Sequence, residues 1–246
     1  MKVALFLLGA ALAHAQDPFE IHVYEYEKPH LGEFTLEAHL NYVGIGTKQP
    51  EGLVAPSNNQ FHMTGELTGG ITDYASLGFM LLGAARPGGG GPDYAGWRVL
   101  PHLYVPKAWN LPVDLGLVVE FSFQRTTYEE NSRRVEIRPI LEKKIGRLQF
   151  DGNPVLERAL HGPGVRQGWI FEPAVRVGYE AGKRVMPSLE YYGSTGSRQI
   201  HQFFPGADIK LGERVLWSVG VGIGATPNGS RLIYKSRIEI SFGGGD

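Results

Sequence analysis

The sequence predicts an all-β chain: a transmembrane antiparallel β-barrel of about twelve strands, preceded by a cleavable signal peptide. Three observations predict it. A short apolar run with a small-residue cleavage site opens the chain, period-two alternation dominates after residue 33, and the connections between alternating segments are long and short by turns.

The first element is the export signal, residues 1–15. Lys2 supplies a positive start, the run from Val3 to Leu12 is apolar, and Ala13-His14-Ala15 fits a small-x-small cleavage site. The run is shorter than the ~20 residues a helix needs to cross a bilayer. Cleavage would leave a chain beginning near Gln16. Residues 16–32 are then an N-terminal periplasmic or lumenal segment. Within it, Phe19 to Glu27 also alternates, which suits an extra strand, a lumen plug or a periplasmic extension. An even strand count keeps it outside the barrel wall.

The barrel is expected over residues 33–242, with 243–246 as a tail. Its clearest strand places Val113, Leu115, Leu117, Val119, Phe121 and Phe123 on one face, with Asp114, Glu120 and Ser122 among the residues opposite. Equally regular strands begin at Trp169 and Val215, and another ends at Phe242. Looser ones are expected at 33–43, 60–71, 74–84, 96–105, 134–144, 147–153, 184–193 and 200–211. Most have the ~9–11 residues of a tilted membrane strand, although 147–153 is short. A short helix is the expectation for Pro154 to Leu160, inside a connection over 154–167.

Alternation suits a soluble barrel and a membrane barrel equally. Loop parity favours the membrane, because long outer loops and short periplasmic turns are a membrane-barrel asymmetry and twelve strands leave both termini on the short-turn side. Trp97, Trp169, Trp217, Tyr42, Tyr179, Tyr191 and Phe242 share the apolar phase and mostly lie near strand ends, as interfacial girdles do. The polar phase carries mixed charge, suited to a wet lumen. Its candidate lining residues are Arg138, Arg176, Arg237, Glu120, Glu172 and Glu239. Against the barrel stand Pro101, Pro139, Pro173, Pro187 and Pro205, each inside a proposed strand and unable to donate to a ladder. Bulges are the expected remedy, with a lumenal side chain or water bonding the orphaned carbonyl.

Composition closes other routes. Lys and Arg number 24 against 25 Asp and Glu, which gives no basic excess for nucleic acid. There is no Cys, hence no disulfide and no thiolate metal site. The 34 glycines favour turns and close-packed strands.

Several segments resemble a largely uncharacterised group of porin-like bacterial outer-membrane β-barrel proteins. They include Leu40-Asn41-Tyr42-Val43, Gly70-Ile71-Thr72-Asp73-Tyr74, Glu136-Ile137-Arg138-Pro139, His161-Gly162-Pro163-Gly164, Glu190-Tyr191-Tyr192-Gly193 and Gln202-Phe203-Phe204-Pro205. The resemblance implies an exported barrel and supplies neither a substrate nor a catalytic residue.

The motifs that carry chemistry elsewhere have plainer readings here. Gly220-Val221-Gly222-Ile223-Gly224 lies in a strand with no helix after it to receive a pyrophosphate, so its glycines are read as small lumen-facing or packing positions. Asn228-Gly229-Ser230 reads as a hairpin turn. His39, His62, His102 and His201 fall on the polar phase. His39, His62 and Glu66 could approach one another, but solvated lumenal histidines are the reading taken, with no metal and no cofactor. Ser76, Ser122 and Ser218 show no spacing to a His and an acid, and no Gly-x-Ser-x-Gly elbow occurs. The expectation is therefore a narrow mixed-charge barrel in the outer membrane, a passive or selective channel for small solutes and not an enzyme. Its partners would be membrane lipid, the barrel-assembly machinery and the solute. The alternatives are a hydrolase-type barrel enzyme and a soluble exported barrel that binds a small ligand.

Overall fold

The computed structural model describes residues 17–28, 30–89, 91–195, 199–227 and 229–244. The expected export signal and Asn228 of the expected turn lie outside the described residues.

Twelve alternating segments form twelve strands: β1 (Glu33–Ile45), β2 (Gln60–Thr72), β3 (Ala75–Ala85), β4 (Pro92–Tyr104), β5 (Asp114–Gln124), β6 (Arg133–Ile145), β7 (Leu148–His161), β8 (Trp169–Tyr179), β9 (Val185–Ser194), β10 (Ile200–Lys210), β11 (Val215–Gly224) and β12 (Leu232–Gly243). Each pairs antiparallel with its sequence neighbours, and β1 closes on β12 through pairs such as Phe34↔Phe242 and Leu36↔Ile240. Closure removes every edge, so no row of backbone donors is left facing lipid. A strand of 11 residues such as β5, rising ~3.3 Å per residue and tilted ~40–45°, spans roughly 25 Å, the height of a membrane barrel's apolar band.

The faces decide between lipid and water. Leu36, Phe79, Leu81, Phe171 and Leu189 point outward and are exposed, Leu81 at 55%. His39, Glu66, Arg98, Glu120, Asp151 and Arg176 point inward and are buried. A soluble barrel would invert this, so the soluble alternative fails. Rings gather near the wall's ends: Phe34 stacks on Phe242 at 5.9 Å, Tyr42 on Tyr234 at 6.4 Å and Trp97 on Phe123 at 4.2 Å.

The structure corrects two expectations. Pro154 to Leu160 is not helical; it continues β7 through to His161. The strand expected at 147–153 is therefore among the longest, and the outer connection starts at 162. The prolines, in turn, are not absorbed by bulges. At Pro101, Pro139 and Pro205 pairing lapses on one flank while the register on either side is unchanged, and at Pro173 and Pro187 the β8–β9 ladder stops one residue short of the proline. Pro101 pairs with Leu77 of β3, but the β4–β5 ladder skips from Val99↔Phe121 to His102↔Val118. Pro205 pairs with Leu189, and the β10–β11 ladder skips from Phe203↔Ile223 to Gly206↔Gly220. Between β6 and β7 pairing lapses from Ile137↔Leu156 to Leu141↔Gly152, which brings Pro139 opposite Pro154. There the lumenal amide of Asn153 donates to the Pro139 carbonyl at 3.2 Å, as expected of a side-chain remedy. Missing donors thus cost local hydrogen bonds and leave the strand order intact.

The glycine-rich stretch of β11 is a packing device, as its position in a strand predicts. Gly222 faces the lumen, and a Cβ built on it would overlap the Phe204 ring. Gly222→Val is expected to destabilise the barrel by about 1–3 kcal/mol through overpacking. Urea unfolding in detergent, followed by tryptophan fluorescence, would read this as a lower midpoint.

Candidate functional site

The lumen is the concave, polar interior of the molecule, and the chain's own N-terminal segment occupies it. Residues 17–28 run from the outer half of the bore, beside β6 and the outer loop 125–132, to its inner mouth, where Leu31 bridges Gly70. The segment has no ladder, so the wall must satisfy its backbone. Asn41 Nδ2 donates to Pro18 O at 2.9 Å, and Thr64 Oγ1 donates to Phe19 O at 2.8 Å. Tyr24 is held at both ends of its peptide unit, its N–H donating to Asn153 Oδ1 (2.7 Å) and its carbonyl accepting from Asn153 Nδ2 (3.1 Å). Tyr26 N–H donates to Glu142 Oε2 at 2.9 Å, and its hydroxyl donates to Val105 O at 2.7 Å.

Its alternation is explained by two apolar patches inside the bore. Ile21 and Val23 pack with Val43, Tyr192, Phe204 and Ile233. Phe19, Tyr24 and Tyr26 pack with Met80, Leu82, Leu100, Val118 and Ile140. Inward apolar residues on β3–β6, which look out of phase in a polar lumen, are there to receive it.

Charge anchors the segment along its length. Glu20 binds Arg98 Nη1 at 2.8 Å and Arg138 Nη1 at 3.0 Å, and all three side chains are buried. Asp17 pairs with Arg98 and, at 2.9 Å, with Arg134. Glu25 pairs with Arg176 at 3.0 Å. The Arg138 guanidinium also lies over the Tyr24 ring, 4.6 Å from its centroid. Above the segment lies an outer recess, lined by Arg134, Glu136, Glu157 and Glu172 and by Val54 and Ala55 of loop 46–59. Ala55 N–H donates to Thr127 O at 2.8 Å, tying that loop to loop 125–132. In the latter, burial and the bond to Asp93 push the Tyr128 phenol above its usual range. Below the segment lies an inner recess, lined by Glu37, Glu66, His102, Arg237 and Glu239.

The six residues singled out from the sequence all lie inside the barrel. Arg237 pairs with Glu37 (2.9 Å) and Glu239 (3.3 Å) at the inner recess. Glu120 joins the Arg98–Arg138 group, 3.2 Å from Arg98 and 3.9 Å from Arg138. Arg176 pairs with Asp151 at 2.8 Å and with Asp208, and Glu172 accepts from Ser194 at 2.9 Å. They do not converge on one point; they divide among the outer, middle and inner levels of the bore. Sequence reasoning missed Asp17, Glu20, Glu25, Arg134 and Asn153, whose partners lie far away along the chain. Of the four histidines, His102 contacts Tyr104 Oη at 3.2 Å and His39 stands between Glu37 and Glu66 inside the bore, whereas His201 shares the outward phase of Phe203, off the polar face expected for it, and contacts Tyr191 Oη at 2.8 Å. The Ser–His contact among the described residues is Ser132 with His161, 2.9 Å apart and exposed on the outer rim.

No protein-family model matches the chain, and no curated protein matches it in sequence. The fold has solved relatives. The COG4313 outer membrane channel from Pseudomonas putida F1 superposes with a TM-score of 0.63 over 91% of this chain and 100% of that one, at 13% identity. The KdgM porin, solved in complex with disordered oligogalacturonate, gives 0.55 over 85% and 99%, at 10% identity. The NanC porin gives 0.55 over 85% and 98%, at 7% identity. This chain shares the fold of outer-membrane, porin-like barrels, as its own apolar exterior requires.

Proposed function

We propose that this chain is an outer-membrane channel for small solutes whose bore is held shut by its own N-terminal segment. The observation that carries the reading is the pair of charged recesses within the lumen, toward the outer and the inner end of residues 17–28, inside a wall that faces lipid. A barrel that served only as a scaffold could fill its centre with apolar side chains, as small barrels do. Here the centre is filled by a separable strip of chain, seated on two apolar patches and anchored by ion pairs and hydrogen bonds that water can replace. The solved structures that share this fold include an outer membrane channel and two porins, which supports the same reading. Lipid around the wall, the solute in the bore and the barrel-assembly machinery that would insert the chain complete the proposed set of partners.

Planar-bilayer recording of the purified full-length protein tests the reading. Brief, infrequent openings above background are expected, since the closed state is the one with the segment seated. A flat trace from correctly folded protein, with the segment present or removed, would reject the channel. Recovery in the membrane pellet after a carbonate wash is expected in parallel.

A further inference from the structure

Three inward side chains of two paired strands meet on the wall of the inner recess. Glu37 and His39 lie two residues apart on β1, and Glu66 of β2 is the cross-strand partner of Glu37. Their ligand atoms all lie within 4.8 Å of one another. His39 is 1% exposed, and its Nε2 has no hydrogen-bond partner although a carboxylate stands on either side. The separations are 3.5 Å to Glu37 Oε2 and 3.7 Å to Glu66 Oε2.

Those distances exceed the ~2.7–3.2 Å of an N–H···O bond. An imidazolium between two carboxylates would draw them closer, to ~2.7–2.9 Å. Two ligands of a tetrahedral ion with bonds of ~2.0–2.1 Å stand roughly 3.4 Å apart, close to what is found. The surroundings suit an ion as well. Thr68 Oγ1 donates to Glu66 Oε1 at 2.9 Å, fixing that carboxylate and leaving its other oxygen toward His39. Arg237 holds Glu37 Oε2 at 2.9 Å but has Glu239 as a second partner at 3.3 Å, so it can release Glu37 without losing its counter-charge.

We propose that Glu37, His39 and Glu66 form a divalent-cation site of the zinc type, with its fourth position open to the inner recess. One imidazole and two carboxylates are a borderline N/O donor set that suits Zn²⁺, whereas Ca²⁺ and Mg²⁺ prefer six or more oxygens. The His22 ring of the inserted segment lies 6.3 Å from that of His39, centroid to centroid, so an ion here sits between wall and segment. The site does not depend on the chain being a channel.

Calorimetric titration of tag-free, chelator-stripped, refolded protein with ZnCl₂ at neutral pH tests it. One ion per barrel is expected, with affinity lowered tenfold or more in His39→Gln and in Glu66→Gln, each checked for heat-modifiable migration. Co²⁺ bound to the unaltered protein should show the intense visible bands of a four-coordinate ion, a readout that needs no variant. No heat of binding by the unaltered protein, affinity in both variants unchanged from that of the unaltered protein, or a six-coordinate Co²⁺ spectrum would each overturn the site.

Discussion

A barrel beginning at residue 29, without the segment 17–28, is expected to conduct about several-fold more than the full-length protein, because the bore then opens from end to end. The segment fills the centre with Phe19, Ile21, Val23, Tyr24 and Tyr26, all buried. Once it is gone, the two recesses join along a path lined by Arg98, Arg138, Asn153 and Arg176, groups that hold water readily. The wall itself should survive, since each strand keeps its two neighbours and none of the twelve ladders uses residues 17–28. Single-channel recording and liposome swelling would read the change, with circular dichroism and gel migration confirming the barrel. Equal conductance with and without the segment would mean that it does not occlude the path.

Much of the wall was legible because a lumen-and-lipid environment imposes period two on every residue. The alternation of β5, β8, β11 and β12 follows directly, and so does the inward position of Arg138, Arg176, Arg237, Glu120, Glu172 and Glu239. Where the pattern misled, a second period competed. Val155, Leu156, Ala159 and Leu160 also match helical spacing, but in β7 Val155, Glu157 and Ala159 turn inward while Leu156 and Leu160 face lipid. Register was the next limit. His39, His62 and Glu66 looked like neighbours, yet β1 and β2 pair so that Glu37 faces Glu66 and Asn41 faces His62. The histidine expected beside His39 is displaced along the strand, and a carboxylate takes its place. Turn geometry sets that register, and alternation carries no trace of it. The ion pairs of the segment were least legible of all. Glu20 meets Arg98 and Arg138 at sequence separations of 78 and 118, where no local pattern reaches.

Glu20→Gln is expected to loosen the segment while leaving the barrel closed. The substitution preserves volume and removes one charge from a buried group of three. Breaking one member of such a group typically costs about 3–5 kcal/mol, because the remaining charges stay buried without their partner. Arg98 retains Asp17 and Glu120, and Arg138 retains Glu136 at 2.8 Å, which places the effect near the lower bound. A weakening of about 3 kcal/mol is a shift of about a hundredfold toward the unseated segment. The chain has no cysteine, so Val23→Cys introduces a single thiol at a buried position of the segment. Its labelling by a charged maleimide should be about a hundredfold faster when Glu20→Gln is added. Arg86→Gln serves as the comparison, since it leaves Asp93 to accept from the Tyr128 hydroxyl, whose ring meets Phe19 of the segment. It breaks the exposed Arg86–Asp93 pair on the outer rim, where solvent screens the charges, and should leave the labelling rate within about twofold. If both substitutions change labelling equally, Glu20 is no anchor and packing alone seats the segment. If only Glu20→Gln does, the Arg98–Glu20–Arg138 group is what holds the bore shut.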